Sequence, residues 1–272
     1  KSSDKITIEG TAGKLRPVGD ELNVGESGVG MNFLTSAACL AEKPVIVAGH
    51  GVIIAEAEAE LLALVEKAQI PVVTSLLGKS CIPETHPLCL GMGGMHGEAC
   101  TNLSMQRSDL IIGLGSRFDD RLTSVAATFA PAARVIHVDI DPAELGKRVR
   151  VDMPIVGDVR NVLRDLWPLI KPATHPEWMA TIDAWRCETR ERDILWKDTG
   201  QLLPQYVIRS IWEATNGEAL MVSDVGQNQM WEAQYYLHRR PRGLITSGGL
   251  GTMGYGLPAA MGAAVGCPDA NV

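Results

Sequence analysis

The sequence has 272 residues, of which 46% are hydrophobic and 21% charged, with a net charge of −7. This is the profile of a globular chain with room for one large domain or two smaller ones. The acidic balance disfavours nucleic acid as a partner, no apolar run is long enough to span a bilayer, and no apolar signal segment opens the chain, so a cytoplasmic protein is expected.

In chain order, residues 1–34 read as an irregular leader. The first thirty are rich in glycine and charge and contain no aromatic residue, which leaves little to bury beyond a short strand at Lys5–Ile8. From Thr35 the pattern becomes α/β. Pro44–Ala48 (PVIVA) is a β-branched apolar run of the kind found in a buried parallel strand. Glu56–Gln69 reads as a helix with Leu61, Leu62 and Val65 on one face. Further strands are expected at Ile70–Thr74, Leu110–Leu114, Arg134–Val138 and near Pro154–Val156, with a clear helix at Arg160–Ile170. Strands alternating with helices predict an α/β fold with a doubly wound parallel sheet over residues 35–172.

Pro172 and Pro176 interrupt that pattern. A polar helix, Trp178–Lys197, follows and is read as the connection spanning residues 173–200, its tryptophans docking it onto a domain. Residues 201–272 then begin a second α/β unit with helix Pro204–Thr215, strand Ala219–Ser223 and the stretch 247-SGGLGTMGYG-256. So few strands do not close a parallel sheet, so this second domain is expected to be cut off, with apolar surface and strand edges left open. The six cysteines are scattered, without a CxxC pair, and are expected to be free buried thiols.

In open α/β sheets ligands bind beyond the carboxyl ends of the strands, and four loops there carry unusual chemistry. After Pro44–Ala48, 48-AGHGV-52 offers Gly-x-Gly, but Ile54 stands where a dinucleotide fingerprint places a third glycine; a plain tight turn fits as well. In 91-GMGGMHG-97 the glycines suit close approach of a flat ligand, while His96 by itself fits a structural histidine. In 115-GSRFDDR-121 the charges must pair with one another or bind an anion if they lie at a buried strand end. In 137-HVDID-141 an acidic residue ends a strand, where it can accept from ribose hydroxyls. Together these favour a dinucleotide site. The second unit has its own pair of loops, 223-SDVGQNQMW-231 and 247-SGGLGTMGYG-256, whose glycine amides suit a phosphorylated heterocycle. Glycine-mediated helix packing fits the second loop equally well but leaves Asp224–Gln229 without a reason.

At these residues the chain resembles the catalytic large subunit of acetohydroxyacid synthase (acetolactate synthase), of the thiamin-diphosphate enzyme superfamily. LGMGGMHG, GSRFDDR, HVDIDPAE, DVGQNQMW and SGGLGTMGYGLPAA carry the resemblance, which runs from about Ala37 to Val272. It implies a central FAD-binding domain followed by the beginning of a thiamin diphosphate-binding domain. It implies FAD contacts at Gly49, Gly51, Ser75, Leu76, Gly94, Met95, His96, Gly97, Gly115, Arg117, Asp119, Arg121, Asp139, Ile140 and Asp158. It implies thiamin diphosphate contacts at Val225, Gly226, Gln227, Asn228, Gly251 and Met253, with Met253 supporting the bent cofactor and Arg121 lining the active-site entrance. The implied reaction condenses pyruvate with a second 2-keto acid, with loss of carbon dioxide, in branched-chain amino acid biosynthesis. The implied partners are a further copy of the chain and a regulatory subunit. The magnesium ligands and the activating glutamate of the family have no counterpart here, so the chain alone is expected to be inactive. His50 and Asn228 depart from the family's usual glycine and histidine. A stand-alone FAD-binding module, or another thiamin diphosphate-dependent 2-keto acid decarboxylase or oxidase, are the rival readings.

Overall fold

The computed structural model describes residues 41–192 and 198–272; the leader 1–34 and the strand expected at Lys5–Ile8 lie outside them. The first unit is a parallel sheet of six strands in the order β3-β2-β1-β4-β5-β6. They are β1 Pro44–Ala48, β2 Val72–Thr74, β3 Cys89–Met92, β4 Leu110–Leu114, β5 Arg134–Asp139 and β6 Met153–Val156. β1 lies between β2 and β4, with Ile46 opposite Val72 on one side and Ile112 on the other. The winding therefore reverses between β1 and β4, and the loops leaving those strands part to open a crevice.

Side chains along a strand alternate in direction, and both faces of this sheet are covered. Ile46 and Ala48 join a buried cluster with Leu61, Leu64 and Val65 of helix α2 (Glu58–Ala68) and Val162 and Leu163 of α5 (Val159–Leu166). Val45 and Val47 join a second with Met105 of α3 (Ala99–Gln106) and Trp178 and Ile182 of α6 (Pro176–Arg192). The α/β parallel sheet expected from the sequence is present. Trp178 donates to the Pro44 carbonyl at 3.2 Å and meets Trp185 edge-on, ring centroids 5.6 Å apart, so α6 lies on the sheet.

Several boundaries differ from the expectations. The helix expected at Glu56–Gln69 is α2, Glu58–Ala68, and the glycine-containing turn before it carries an unexpected short α1 (His50–Ile54), set off from α2 by Glu56 in a left-handed conformation, φ 51°. Gln69, also left-handed, ends α2, and Pro71 follows. β2 starts at Val72 rather than Ile70, and α5 ends at Leu166 rather than Ile170. β3 is a strand that the sequence does not announce: it takes Gly91 and Met92 from the expected loop 91–97, with Gly91 in register opposite Val73.

The second unit contains α7 (Pro204–Thr215), β7 (Met221–Ser223), α8 (Gln227–Tyr235), β8 (Leu244–Thr246) and α9 (Gly256–Gly266). Pro204 in the first turn and left-handed Asn216 at the end delimit α7. β7 and β8 pair in parallel; the strand starts at Met221 rather than Ala219. Along α9, Leu257, Met261 and Val265 are exposed. Cys81, Cys89 and Cys100 are buried free thiols, but Cys187 and Cys267 are exposed, against the expectation of burial. Among the described residues no helix is long and apolar enough to cross a membrane.

Candidate functional site

The crevice between β1 and β4 opens into a cavity of about 860 Å³. Its floor is two turns in contact. A Cβ on Gly49 would stand 2.1 Å from the Gly115 carbonyl oxygen, and one on Gly51 2.6 Å from the Gly115 Cα. Backbone, not a yielding side chain, blocks both positions, so the turns after β1 and β4 interlock only as glycine. Gly115 itself takes a left-handed φ of 55°. The Gly-x-Gly at residues 49–51 thus sits at the switch point, although α1 is too short to be the helix of a dinucleotide fingerprint.

One side of the cavity is built from loops that the sequence separates. Gly94 is held by Asn102, whose side chain accepts from the Gly94 amide at 2.7 Å and donates to its carbonyl at 2.9 Å. The Met95 amide donates to the Arg121 carbonyl at 2.7 Å. The GMGGMHG and GSRFDDR motifs are therefore one surface. A Cβ on Gly94 would lie 2.2 Å from the Arg121 carbonyl oxygen, and one on Gly97 2.3 Å from that of Met92. These two glycines shape the wall from behind, while Met95 and His96 face the cavity.

Of the residues singled out in the first unit, Gly49, Gly51, Ser75, Leu76, Met95, His96, Gly115, Arg117, Asp119, Arg121, Asp139, Ile140 and Asp158 all line this one space. Four have local duties as well. Ser75 accepts from the Gly78 amide, Asp119 from Leu122, and Asp158 from Asn161, each at 3.1 Å; Asp139 accepts from Asp141 at 3.0 Å. Each polar group is fixed in direction by the backbone it caps and keeps lone pairs for a ligand. The arginines differ from expectation: Arg117 lies 3.5 Å from Asp119 and Arg121 3.7 Å from Asp120, as loose pairs with exposed side chains. Nothing at a buried strand end obliges them to pair, and exposed pairs of this kind are worth little.

The far wall belongs to the second unit: Val225, Gln229 and residues 247–251. Gly248 approaches so closely that a Cβ there would lie 2.6 Å from a Leu77 methyl. Of the residues assigned there from the sequence, Val225 and Gly251 reach the cavity, whereas Gly226, Gln227, Asn228 and Met253 are exposed outside its lining. The loop bearing Met253 is clipped by Asp224, whose carboxylate accepts from Val225 at 2.7 Å, Gly254 at 2.9 Å and Gly256 at 3.1 Å. Amides of Val225, Gly256 and Gly254 hold that carboxyl below its usual value.

Sequence reading missed several contributors. Leu77, Phe118, Glu144, Gln229 and Leu250 line the cavity, and Asn102 braces it. Only the glycines around residue 248 signalled that two units approach there. Large apolar side chains, Ile54, Met95, Ile140 and Leu250, are exposed yet converge on the space. Burial, reinforced by Arg242 for His50 and Arg121 for His96, pushes both cavity imidazoles below their ordinary value, which leaves them neutral hydrogen-bonding groups at neutral pH. Among the described residues, no three His, Cys, Asp or Glu side chains gather as a metal site.

Residues 39–166 match the central domain of thiamine pyrophosphate enzymes, and residues 224–272 match their C-terminal TPP binding domain. Over 240 residues, 85% of the chain, the protein is 46% identical to a probable acetolactate synthase large subunit of Methanocaldococcus jannaschii. It is 45% identical to the acetolactate synthase of Mycobacterium leprae over 85% of the chain, and 45% identical to the large subunit from Lactococcus lactis over 88%. The chain spans 40%, 38% and 41% of the lengths of these relatives.

Proposed function

The chain belongs to the thiamine pyrophosphate enzymes, and from that premise we propose that it carries the flavin-binding part and a share of the thiamin-binding part of an acetolactate synthase-like enzyme. The observation that supports this most is the composition of the cavity at the switch point. It brings exposed guanidiniums, turn-fixed carboxylates, glycine backbone and exposed apolar side chains to one space. Its volume of about 860 Å³ falls within the range of small-molecule sites.

FAD fits this donor set. Arg117 and Arg121 would supply charge for its diphosphate, Asp139 at the end of β5 would accept from a ribose hydroxyl, and Gly49, Gly51 and Gly115 would admit the ligand to the backbone. Ile54, Met95, Ile140 and Leu250 would lose water against its rings. Ser75, Leu76, His96 and Asp158 complete the wall, and Gly94 and Gly97 hold its shape.

Thiamin diphosphate, when bound, supplies the electron sink for decarboxylation of a 2-keto acid. The residues of this chain that would hold it are Val225 and Gly251, which reach the cavity, together with Gly226, Gln227, Asn228 and Met253 on the exposed stretches of the same two loops. Asp224 keeps the loop bearing Met253 in place by occupying its amides. Arg121, which lines the cavity with an exposed side chain, would stand at the active-site entrance near the second 2-keto acid. No step is assigned to a magnesium ion held by this chain. Pyruvate as substrate, a homo-oligomer, a regulatory subunit and a cytoplasmic setting belong to the same proposal.

Titration of the purified chain with FAD should quench flavin fluorescence, and Arg117→Ala should weaken binding by about tenfold, as expected for a lost charged hydrogen bond. Affinity unmoved by that substitution would remove the 115–121 loop from the site. Incubated alone with pyruvate, thiamin diphosphate, magnesium and FAD, the chain should form no acetolactate above the protein-free blank. Turnover abolished by Met253→Ala would show that it holds a complete catalytic apparatus.

A further inference from the structure

Behind the cavity, where the two units meet, lies a cluster of ionisable side chains that no ligand-facing role explains. Lys79, Glu84, Glu232 and His238 are exposed by 2%, 7%, 1% and 0%. Lys79 Nζ lies 2.9 Å from Glu84 Oε2, and His238 Nε2 lies 2.7 Å from Glu232 Oε1. Bonds cross the seam. Lys79 donates to the Ala233 carbonyl at 2.9 Å, the His238 amide donates to Glu84 Oε2 at 3.0 Å, and the Glu84 amide donates to the His238 carbonyl at 2.8 Å. Burial alone would push the Lys79 ammonium down, but Glu84 and Glu232 beside it carry it above its usual value.

Taking four such groups out of water is costly, and an apolar seam of the same volume would hold at least as well. What the ionic version adds is a fixed geometry, because each charge is tolerable only when its partner is in place. The positions of the four residues give that geometry a use. Lys79 directly follows the turn whose Leu76 and Leu77 line the cavity, and Glu232 lies one helical turn beyond Gln229, which lines the opposite wall.

We propose that Lys79, Glu84, Glu232 and His238 form a latch that holds the two walls of the cavity at their binding separation, making them positioning residues for a ligand they do not touch. The ligand part of this rests on the flavin reading given above; the latch itself does not. Two further side-chain bonds across the seam, Gln234 to the His96 carbonyl at 2.9 Å and Arg242 to the Ile53 carbonyl at 3.1 Å, are only partly buried.

Hydrogen exchange on the intact chain tests it without any ligand. In the wild type, residues 227–246 should exchange slowly. In Glu84→Ala they should exchange at least about tenfold faster, the buried pairing being lost, while residues 44–48 and 110–114 stay unchanged. Glu84→Gln, which keeps an acceptor for the His238 amide, should restore part of the protection. If Glu84→Ala does not fold, Lys79→Met, which keeps the volume but leaves Glu84 buried without its cation, decides the matter by the same measurement. A folded single variant, Glu84→Ala or Lys79→Met, with wild-type exchange over 227–246 would overturn the latch. In parallel, the FAD dissociation constant should rise about tenfold in the folded variant, and an unchanged constant would also overturn it. Failure of the wild type to bind FAD would sink the flavin reading alone, since exchange still judges the latch.

Discussion

β1 and β8 are both short apolar strands in parallel pairs, yet all five residues of Pro44–Ala48 are buried and all three of Leu244–Thr246 are only half-buried. Their sequences, PVIVA and LIT, do not announce this difference. β1 has a partner on each side and helices over both faces. β8 has one partner among the described residues, and the apolar side chains of α9 nearby face outward. Burial of a parallel strand is thus a property of the layers around it, and a β-branched run supplies only eligibility. The same contrast separates the two halves of the cavity: one wall stands on a closed core, the other on loops braced by Asp224 and by contacts across the seam.

The contrast is broken most severely at the glycine floor. Gly49→Ala places a methyl group against the Gly115 carbonyl with only backbone around it. It should destabilise the first unit by about 4 kcal/mol, at the large end for single substitutions, and abolish flavin binding, as read from urea midpoints and fluorescence titration. A stability within error of the wild type would mean that the β1 and β4 turns do not interlock.

Matched truncations sharpen the comparison directly. Ile46→Ala, at a fully buried site in β1, should cost about 3 kcal/mol. Ile245→Ala in β8 should cost less than about 1.5 kcal/mol, since half-exposed side chains lose less water-free contact. Equal costs would show that the second unit is as well covered as the first.

A pH experiment addresses the closed core alone. His137 on β5 is buried, packed edge-on to Phe118 with ring centroids 5.0 Å apart. Burial lowers its affinity for a proton, and Asp139, 4.0 Å away, only partly offsets this. With the native value depressed, the unfolded state binds more protons as pH falls below the ordinary imidazole range of about 6.5. His137 therefore adds stability above that range, which is lost on acidification toward its native value. Thermal unfolding of His137→Phe should show a shallower loss of stability between neutral and mildly acidic pH than the wild type. An identical slope would count against His137 as the source.

The smallest effect should come from α9. Leu257→Ser and Met261→Ser change side chains that are 74% and 62% exposed, so stability should move by no more than about 0.5 kcal/mol. Light scattering at high concentration should fall, because an apolar helix face favours self-association. A loss of several kcal/mol would place these side chains in a core.

Legibility in the sequence followed the same line. β4, at Leu110–Leu114, and α7, at Pro204–Thr215, have the limits that their residues predicted. Each is bounded by local chemistry, a glycine turn in one case and a proline with a left-handed asparagine in the other. Asp139 was legible because a strand that ends on an acid is a local pattern. β3 was not, since CLGM becomes a strand only by pairing with β2. Gly94 and Gly97 read as glycines that admit a flat ligand, but the atoms they accommodate are carbonyls of Arg121 and Met92, which no spacing in the sequence reveals.

By itself the sequence determined the alternation of strands and helices, the positions of the glycine turns and the family motifs, because each depends on residues a few positions apart. Only the tertiary structure decided that the 94–97 and 115–121 loops form one surface, that the cavity takes its far wall from residues 247–251, and that Lys79 and Glu84 meet Glu232 and His238. Those pairings join residues separated by up to more than a hundred positions. Their energy comes from excluding water between surfaces, a quantity fixed by how the layers close rather than by any local pattern.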